Sequence, residues 1–148
     1  LNALVDDFLK SHSDLAQQVR IDWTPTDPSC KVLVDRMLIK HVLVNLVENA
    51  MQAAEDVGTL EQLQITLEVQ VDSAGRRAEL SVEDNGPGMD LDTARQVFNP
   101  YFTTKERGTG LGLAIVKKIV LEHRGSISFD TKLGGGTRFL LTVPLARE

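Results

Sequence analysis

The chain has 148 residues, 42% of them hydrophobic and 25% charged, the length and balance of one globular domain able to bury a core. Acidic residues outnumber basic ones, and the net charge of -5 excludes a general surface for nucleic acid or anionic membrane. A single cysteine, Cys30, excludes an internal disulfide and fits a reducing compartment, and no apolar run approaches the length of a membrane span. The first residue is Leu1 rather than methionine, so the chain is expected to be a piece of something longer.

Leu1, Leu4, Val5, Phe8 and Leu9 recur at helical spacing, and Leu15 with Val19 continues that face. Arg20 to Thr24 reads as a short strand with Ile21 and Trp23 on one side. Pro25 and Pro28 bound a loop, and Cys30 to Val34 reads as another strand. Asp35 is placed to cap a long helix running to about Glu55. After a loop at Gly58, Ile65, Leu67, Val69 and Val71 alternate as in a strand, and a turn over Asp72 to Gly75 returns the chain through Ala78, Leu80 and Val82. Asn85 to Arg107 reads as a loop region. A helix from about Leu111 to Arg124 follows, ended by Gly125. Two last strands, near Ile127–Phe129 and Thr137–Val143, are joined by Gly134-Gly-Gly136. Helices on one face of a mixed sheet are the simplest arrangement of these parts.

Four local patterns carry chemistry. Gly108-Thr-Gly-Leu-Gly-Leu-Ala114 runs three glycines into a helix, so bare N–H groups and a positive dipole end meet where a phosphate chain could sit. Glycine-rich turns also cap helices for purely structural reasons. His41, Asn45 and Asn49 stand four residues apart on the long helix, with Gln52 beside their end. Asparagine is a poor mid-helix residue, and two on one stripe suit the offering of amide oxygens to a metal ion or ligand; the alternative is a solvated polar face. In Asp84-Asn-Gly-Pro-Gly88 the aspartate continues the inward face of Leu80 and Val82. An acceptor-only carboxylate there would take an exocyclic amine and repel a carbonyl, selecting adenine over guanine, unless the segment is simply a capped turn. Thr137, after Gly134-Gly-Gly136, points its hydroxyl to the same side as Phe139 and Leu141.

In this order the blocks resemble the ATP-binding domain of sensor histidine kinases, within the superfamily shared with gyrase-type topoisomerases, heat-shock chaperone ATPases and mismatch-repair ATPases. The resemblance covers essentially the whole chain: an asparagine box (His41 to Ala50), a first glycine box (Asp84 to Gly88), a phenylalanine box (Phe98-Asn-Pro-Tyr-Phe-Thr-Thr-Lys105), a second glycine box (Gly108 to Leu113) and a third (Gly134 to Thr137). It implies one catalytic ATP-binding domain over residues 1–148, an α/β (α+β) two-layer sandwich. The sheet would be mixed and mostly antiparallel, with about three helices on one face and a mobile lid from about Met89 to Arg107.

The resemblance also implies roles. ATP and Mg²⁺ would be the cofactors, with Asn49 holding the metal and Asn45 supporting the site. Asp84 would accept from the adenine amine, near Gly86, Gly88 and Thr137. Gly108, Thr109, Gly110, Leu111, Gly112 and Leu113 would surround the phosphates, which Lys105 and Arg107 would meet as the lid closes. Asn45 and Lys105 would be the catalytic residues.

In the hydrolase branches a glutamate four residues before the metal-binding asparagine activates water; here that position is Asn45, and an amide is a poor general base. Glu48 sits about 100° away around the helix. Phosphoryl transfer to a histidine is therefore the implied reaction. None of His12, His41 and His123 has the family's acceptor context, and His123 is better suited to a helix C-terminus. The acceptor would lie on a separate dimerisation and phosphotransfer domain of the same protein, with a response regulator downstream and no direct nucleic-acid or membrane contact. The domain would face the cytoplasm, whether or not its parent is anchored in the inner membrane. Gln52 departs from the Lys or Arg many relatives carry there. The short lid and Asn99-Pro-Tyr-Phe-Thr-Thr-Lys105 look most like nitrogen-regulation-type sensor kinases. A nucleotide-sensing module without catalysis and a serine kinase of the anti-sigma type are the alternatives.

Overall fold

The structure, a computed structural model, describes residues 1–26, 31–72, 74–102 and 111–146. In chain order these form helices α1 (Asn2–Ser11) and α2 (Ser13–Gln18), strand β1 (Arg20–Thr24), helix α3 (Arg36–Asp56), strands β2 (Gln64–Asp72) and β3 (Arg77–Asp84), helices α4 (Leu91–Gln96) and α5 (Gly112–Glu122), and strands β4 (Ser126–Lys132) and β5 (Gly136–Pro144). The strands make one sheet in the order β1-β2-β3-β5-β4. Only the β1–β2 pairing is parallel; the other three are antiparallel. The sheet is mixed and mostly antiparallel, as the family resemblance implies.

Strict alternation decides which side of the sheet is buried. Leu67, Val82, Phe139 and Phe129 stand side by side in register, and Val69, Leu80, Leu141 and Ile127 form the next row. Against these rows α1 buries Leu4, Val5 and Phe8, α3 buries Val42, Leu43, Leu46 and Val47, and α5 buries Val116, Ile119 and Val120. All belong to a single hydrophobic cluster. The helix spacing thus gives three principal helices on one face of the sheet. Asn2 ties α1 down at its start: its amide donates to Thr26 O at 2.8 Å and accepts from Thr26 N–H at 3.1 Å. Phe8 of α1 is fully buried in the core, so Phe8→Ala is expected to cost about 3–5 kcal/mol by loss of transfer energy and cavity formation. Urea unfolding of the variant checks this.

The fold departs from the sequence expectations at four places. The expected strand from Cys30 to Val34 does not form: Cys30 lies outside the described residues, and Val32 makes only an isolated bridge to Leu145. Burial still alternates here, with Val32 and Val34 half-buried and Leu33 88% exposed, but the bridge at Val32 does not extend into a ladder. The expected loop from Asn85 contains α4, capped by Asp90, whose Oδ1 accepts from Thr93 N–H at 2.8 Å. This helix buries no residue, so it leaves no apolar period to detect. The first helix is interrupted at His12, which sits at φ -120° between α1 and α2. Finally, α5 ends at Glu122, and the left-handed residue after it is Arg124 (φ 58°), not Gly125. Gly125 serves a close approach instead: a Cβ there would lie 2.2 Å from Thr142 O.

Candidate nucleotide-binding site

The long helix α3 begins where Asp35 Oδ1 accepts from Leu38 N–H at 3.1 Å. It carries His41, Asn45 and Asn49 as one stripe, exposed at His41 and half-buried at the two asparagines. The Asn45 amide donates back to His41 O at 3.0 Å, which fixes its orientation and presents its oxygen outward along the stripe. The first residue of α5 lies directly against that oxygen, since a Cβ added to Gly112 would come within 3.0 Å of Asn45 Oδ1. The start of α5 and the asparagine stripe therefore share one locus. The N-cap position of α5 is Leu111, whose side chain has no acceptor for the first-turn N–H groups. Such a helix start favours an anion.

The second part of the site is built at the ends of β3 and β5, where Asp84 and Thr137 are register partners. Asp84 Oδ1 accepts from Gly86 N–H at 2.9 Å, and the Thr137 N–H also faces the carboxylate. Burial pushes the Asp84 carboxyl above the usual carboxylate range; the two N–H groups pull the other way, and the neighbouring Glu83 charge adds to the rise. Thr137 is buried, and its hydroxyl meets that of Thr131 at 2.9 Å. The Thr131 hydroxyl in turn accepts from Met89 N–H at 2.9 Å and donates to Gly136 O at 3.2 Å. Gly134 N–H donates to Pro87 O at 2.6 Å. Gly88 (φ 70°) and Gly136 (φ 83°) make this apposition possible, because a Cβ at either would sit 2.0 Å from a carbonyl oxygen of the facing segment. The first and third glycine boxes are thus two sides of one wall.

Two residues in this wall carry no role in the sequence reading. Thr131 links both glycine boxes, and only its register opposite Thr137 reveals it. Asn85 closes the entry to β2: its side chain accepts from Gln64 N–H at 2.7 Å and donates to Gln62 O at 3.2 Å. Its position inside Asp84-Asn-Gly-Pro-Gly88 is the one signal it leaves.

Among the candidate residues, Asn45, Gly112 and Leu111 meet at the stripe, while Asp84, Gly86, Gly88 and Thr137 meet at the wall. Gly86 is buried, and a Cβ on it would lie 2.9 Å from Asp84 Oδ1. Asn49 lies one turn beyond Asn45 on α3. Leu113 is half-buried and packs on the core. Lys105, Arg107, Gly108, Thr109 and Gly110 lie outside the described residues. Phe98 of the phenylalanine box packs edge-on against Phe129 at 5.6 Å and Phe139 at 6.4 Å, with Lys117 Nζ 5.4 Å from its ring centroid.

Among the described residues no group of three His, Cys, Asp or Glu side chains could hold a metal ion. The donor set on α3 is instead neutral amide oxygen. That chemistry fits Mg²⁺ brought in with phosphates, which supply the negative ligands while the protein contributes one or two oxygens.

Residues 34–147 match the family described as histidine kinase-, DNA gyrase B- and HSP90-like ATPases, and the chain belongs to that family. Within it, the similarity runs to sensor kinases. The chain is 37% identical over 147 residues to the signal transduction histidine-protein kinase AtoS of Escherichia coli K12, covering 98% of the chain and 23% of AtoS. It is 38% identical over 132 residues to the sensory histidine kinase/phosphatase NtrB of Rhodobacter capsulatus, covering 84% of the chain and 36% of NtrB. The chain therefore spans about a quarter to a third of the curated relatives it matches. Its fold superposes on the catalytic domain of histidine kinase ThkA with a TM-score of 0.82 at 29% identity, over 97% of this chain and 91% of that one. The same kinase in complex with the response regulator TrrA gives a TM-score of 0.79 at 26% identity, over 99% of this chain and 40% of that one.

Proposed function

We propose that residues 1–148 form a single ATP-binding catalytic domain of a sensor histidine kinase. It would bind Mg-ATP and pass the γ-phosphoryl group to a histidine on a separate helical domain of the same protein. A response regulator would then receive the phosphoryl group. The observation that carries this reading is the contact between Asn45 and Gly112. The residue nearest the anion-binding helix start is an amide that cannot take a proton from water, so the site favours delivery of the phosphoryl group over hydrolysis.

Each part then has a task. Asp84 accepts from the adenine amine, with Gly86, Gly88 and Thr137 shaping the wall around the ring. The N–H groups of Gly110, Leu111 and Gly112, with Gly108, Thr109 and Leu113 alongside, hold the phosphates. Asn49, supported by Asn45, supplies an amide oxygen to Mg²⁺, which would neutralise phosphate charge when bound. Lys105 and Arg107 bring positive charge to the terminal phosphates, partly making up for Gln52. Catalysis by such a site is mostly positioning, so the domain alone should turn over little ATP.

The similarity to NtrB and the short segment between the phenylalanine box and second glycine box support a kinase of the nitrogen-regulation type. The complex of ThkA with TrrA supports a response regulator as the partner. The ATP requirement and the single cysteine, which fits a reducing compartment, are the grounds for a cytoplasmic location. No helix among the described residues is long and apolar enough to cross a membrane.

The direct test is to mix this chain with the helical acceptor domain of its parent protein and ATP labelled at the γ-phosphate. Label on the acceptor histidine supports the proposal; ATP hydrolysis without transfer contradicts it. In the same assay Asn49→Asp is expected to lower transfer by about tenfold or more, the equivalent of one hydrogen bond to a charged group, and to shift its Mg²⁺ dependence. Wild-type transfer and Mg²⁺ dependence would remove Asn49 from the metal site.

A further inference from the structure

The geometry points to His123 as a positioning residue for the phosphate end of the nucleotide site, although it sits at the far end of α5. This inference rests on the nucleotide site proposed above. His123 follows the last turn of α5, and its ring makes two directed contacts. One ring nitrogen, Nδ1, lies 2.7 Å from Ile119 O, and the other, Nε2, accepts from the backbone N–H of Asp35 at 3.0 Å. A carbonyl can only accept, so Nδ1 carries the ring proton and Nε2 is the free lone pair. Asp35 is the cap residue of α3, and its other two functions are already engaged: its carboxylate accepts from Leu38 N–H and its carbonyl from Ile39 N–H at 3.0 Å. The imidazole thus joins the C-terminus of one site helix to the N-terminus of the other.

At their opposite ends the same two helices meet again, at Gly112 and Asn45. The two contacts make α3 and α5 an antiparallel pair held at two points. At the rise of an α-helix, Asp35 to Asn45 spans about 15 Å and Gly112 to His123 about 16.5 Å. The spans agree to within one residue's rise, so the hydrogen bond at one end constrains the register at the other. Val116, Ile119 and Val120 are buried along α5, and to that packing the hydrogen bond adds a directional constraint at one end. If α5 slides along α3, the first-turn N–H groups move relative to the asparagine oxygens, and both phosphate contacts and metal geometry suffer.

Three variants separate this role from general stabilisation. His123→Phe keeps the ring and removes both hydrogen bonds. His123→Gln places an amide oxygen about where Nε2 was and keeps the bond to Asp35. Asp35→Ala removes the helix cap but leaves the backbone N–H that His123 holds. Thermal unfolding and calorimetric titration with ATP are measured on all three and on the wild type. The expected result is that His123→Phe binds ATP about tenfold more weakly, while His123→Gln and Asp35→Ala stay within about twofold of wild type, with Asp35→Ala losing thermal stability. Equal affinities for His123→Phe and His123→Gln would overturn the inference. So would an Asp35→Ala variant that loses affinity in step with its stability. A wild-type chain that binds no ATP would overturn the nucleotide site itself, and this inference with it.

Discussion

Asp84→Asn is expected to weaken ATP binding by between tenfold and a hundredfold without unfolding the protein. The carboxylate lies against the Gly86 N–H at 2.9 Å and the Thr137 N–H, and its exposed lone pairs accept from the adenine amine in the proposed complex. An asparagine keeps one acceptor oxygen for the backbone but turns an NH₂ group towards the ligand, so donor meets donor. Stability should move little, because the substitution also removes a charge that burial disfavours. The titration follows the same logic. The folded carboxyl titrates above its unfolded value, so the fold gains stability as pH falls through that raised value and loses it as pH rises. Nucleotide affinity runs the opposite way, since the amine needs the ionised acceptor, and it should decline as the medium is acidified through the same window. Asp84→Asn should remove this carboxyl's share of both dependences. Thermal unfolding and calorimetric ATP titration, each repeated as the pH is lowered, check the two dependences, and a variant with wild-type ATP affinity would take Asp84 out of the site.

Gly136→Ala is expected to disrupt the wall severely. Gly136 sits at φ 83°, and a Cβ on it would stand 2.0 Å from Asp84 O and 3.2 Å from Asn85 Cα, backbone atoms that cannot swing away. Strands β3 and β5 would have to part at the point where Asp84 pairs with Thr137. Left-handed strain plus this overlap should cost about 3 kcal/mol or more and abolish binding in whatever remains folded. Gly134 is the internal control. Its φ is similar, 81°, but nothing lies within 4 Å of its added Cβ, so Gly134→Ala should cost only about 1–2 kcal/mol. Urea denaturation of the two variants checks the contrast. Equal costs would mean that the close approach of the two glycine boxes is not what Gly136 provides.

Much of this was legible because the signals are local. Asp35 reads as a cap because one aspartate precedes a helical period, and the structure places its carboxylate on Leu38 N–H. The inward faces of β2, β3 and β5 follow from alternation, and Asn45 with Asn49 from a four-residue interval along α3. What escaped depends on pairings far apart in the chain. Thr131 matters only because β4 lies beside β5 in a register that sets it opposite Thr137. The bond from Asp35 N–H to His123 joins residues 88 positions apart, so the sequence suggests only that His123 suits a helix end. Helix α4 shows the reverse limit: Asp90 caps it visibly, yet with nothing buried there is no period to read.

Calorimetric titration with Mg-ATP, with Mg-GTP as control, is the decisive measurement for an adenine-selective, phosphate-holding site on this chain. Saturable binding of one ATP and none of GTP is expected, because the guanine carbonyl would face the Asp84 carboxylate where adenine presents an amine. Equal binding of both nucleotides would contradict the role given to Asp84, and binding of neither would contradict the site as a whole.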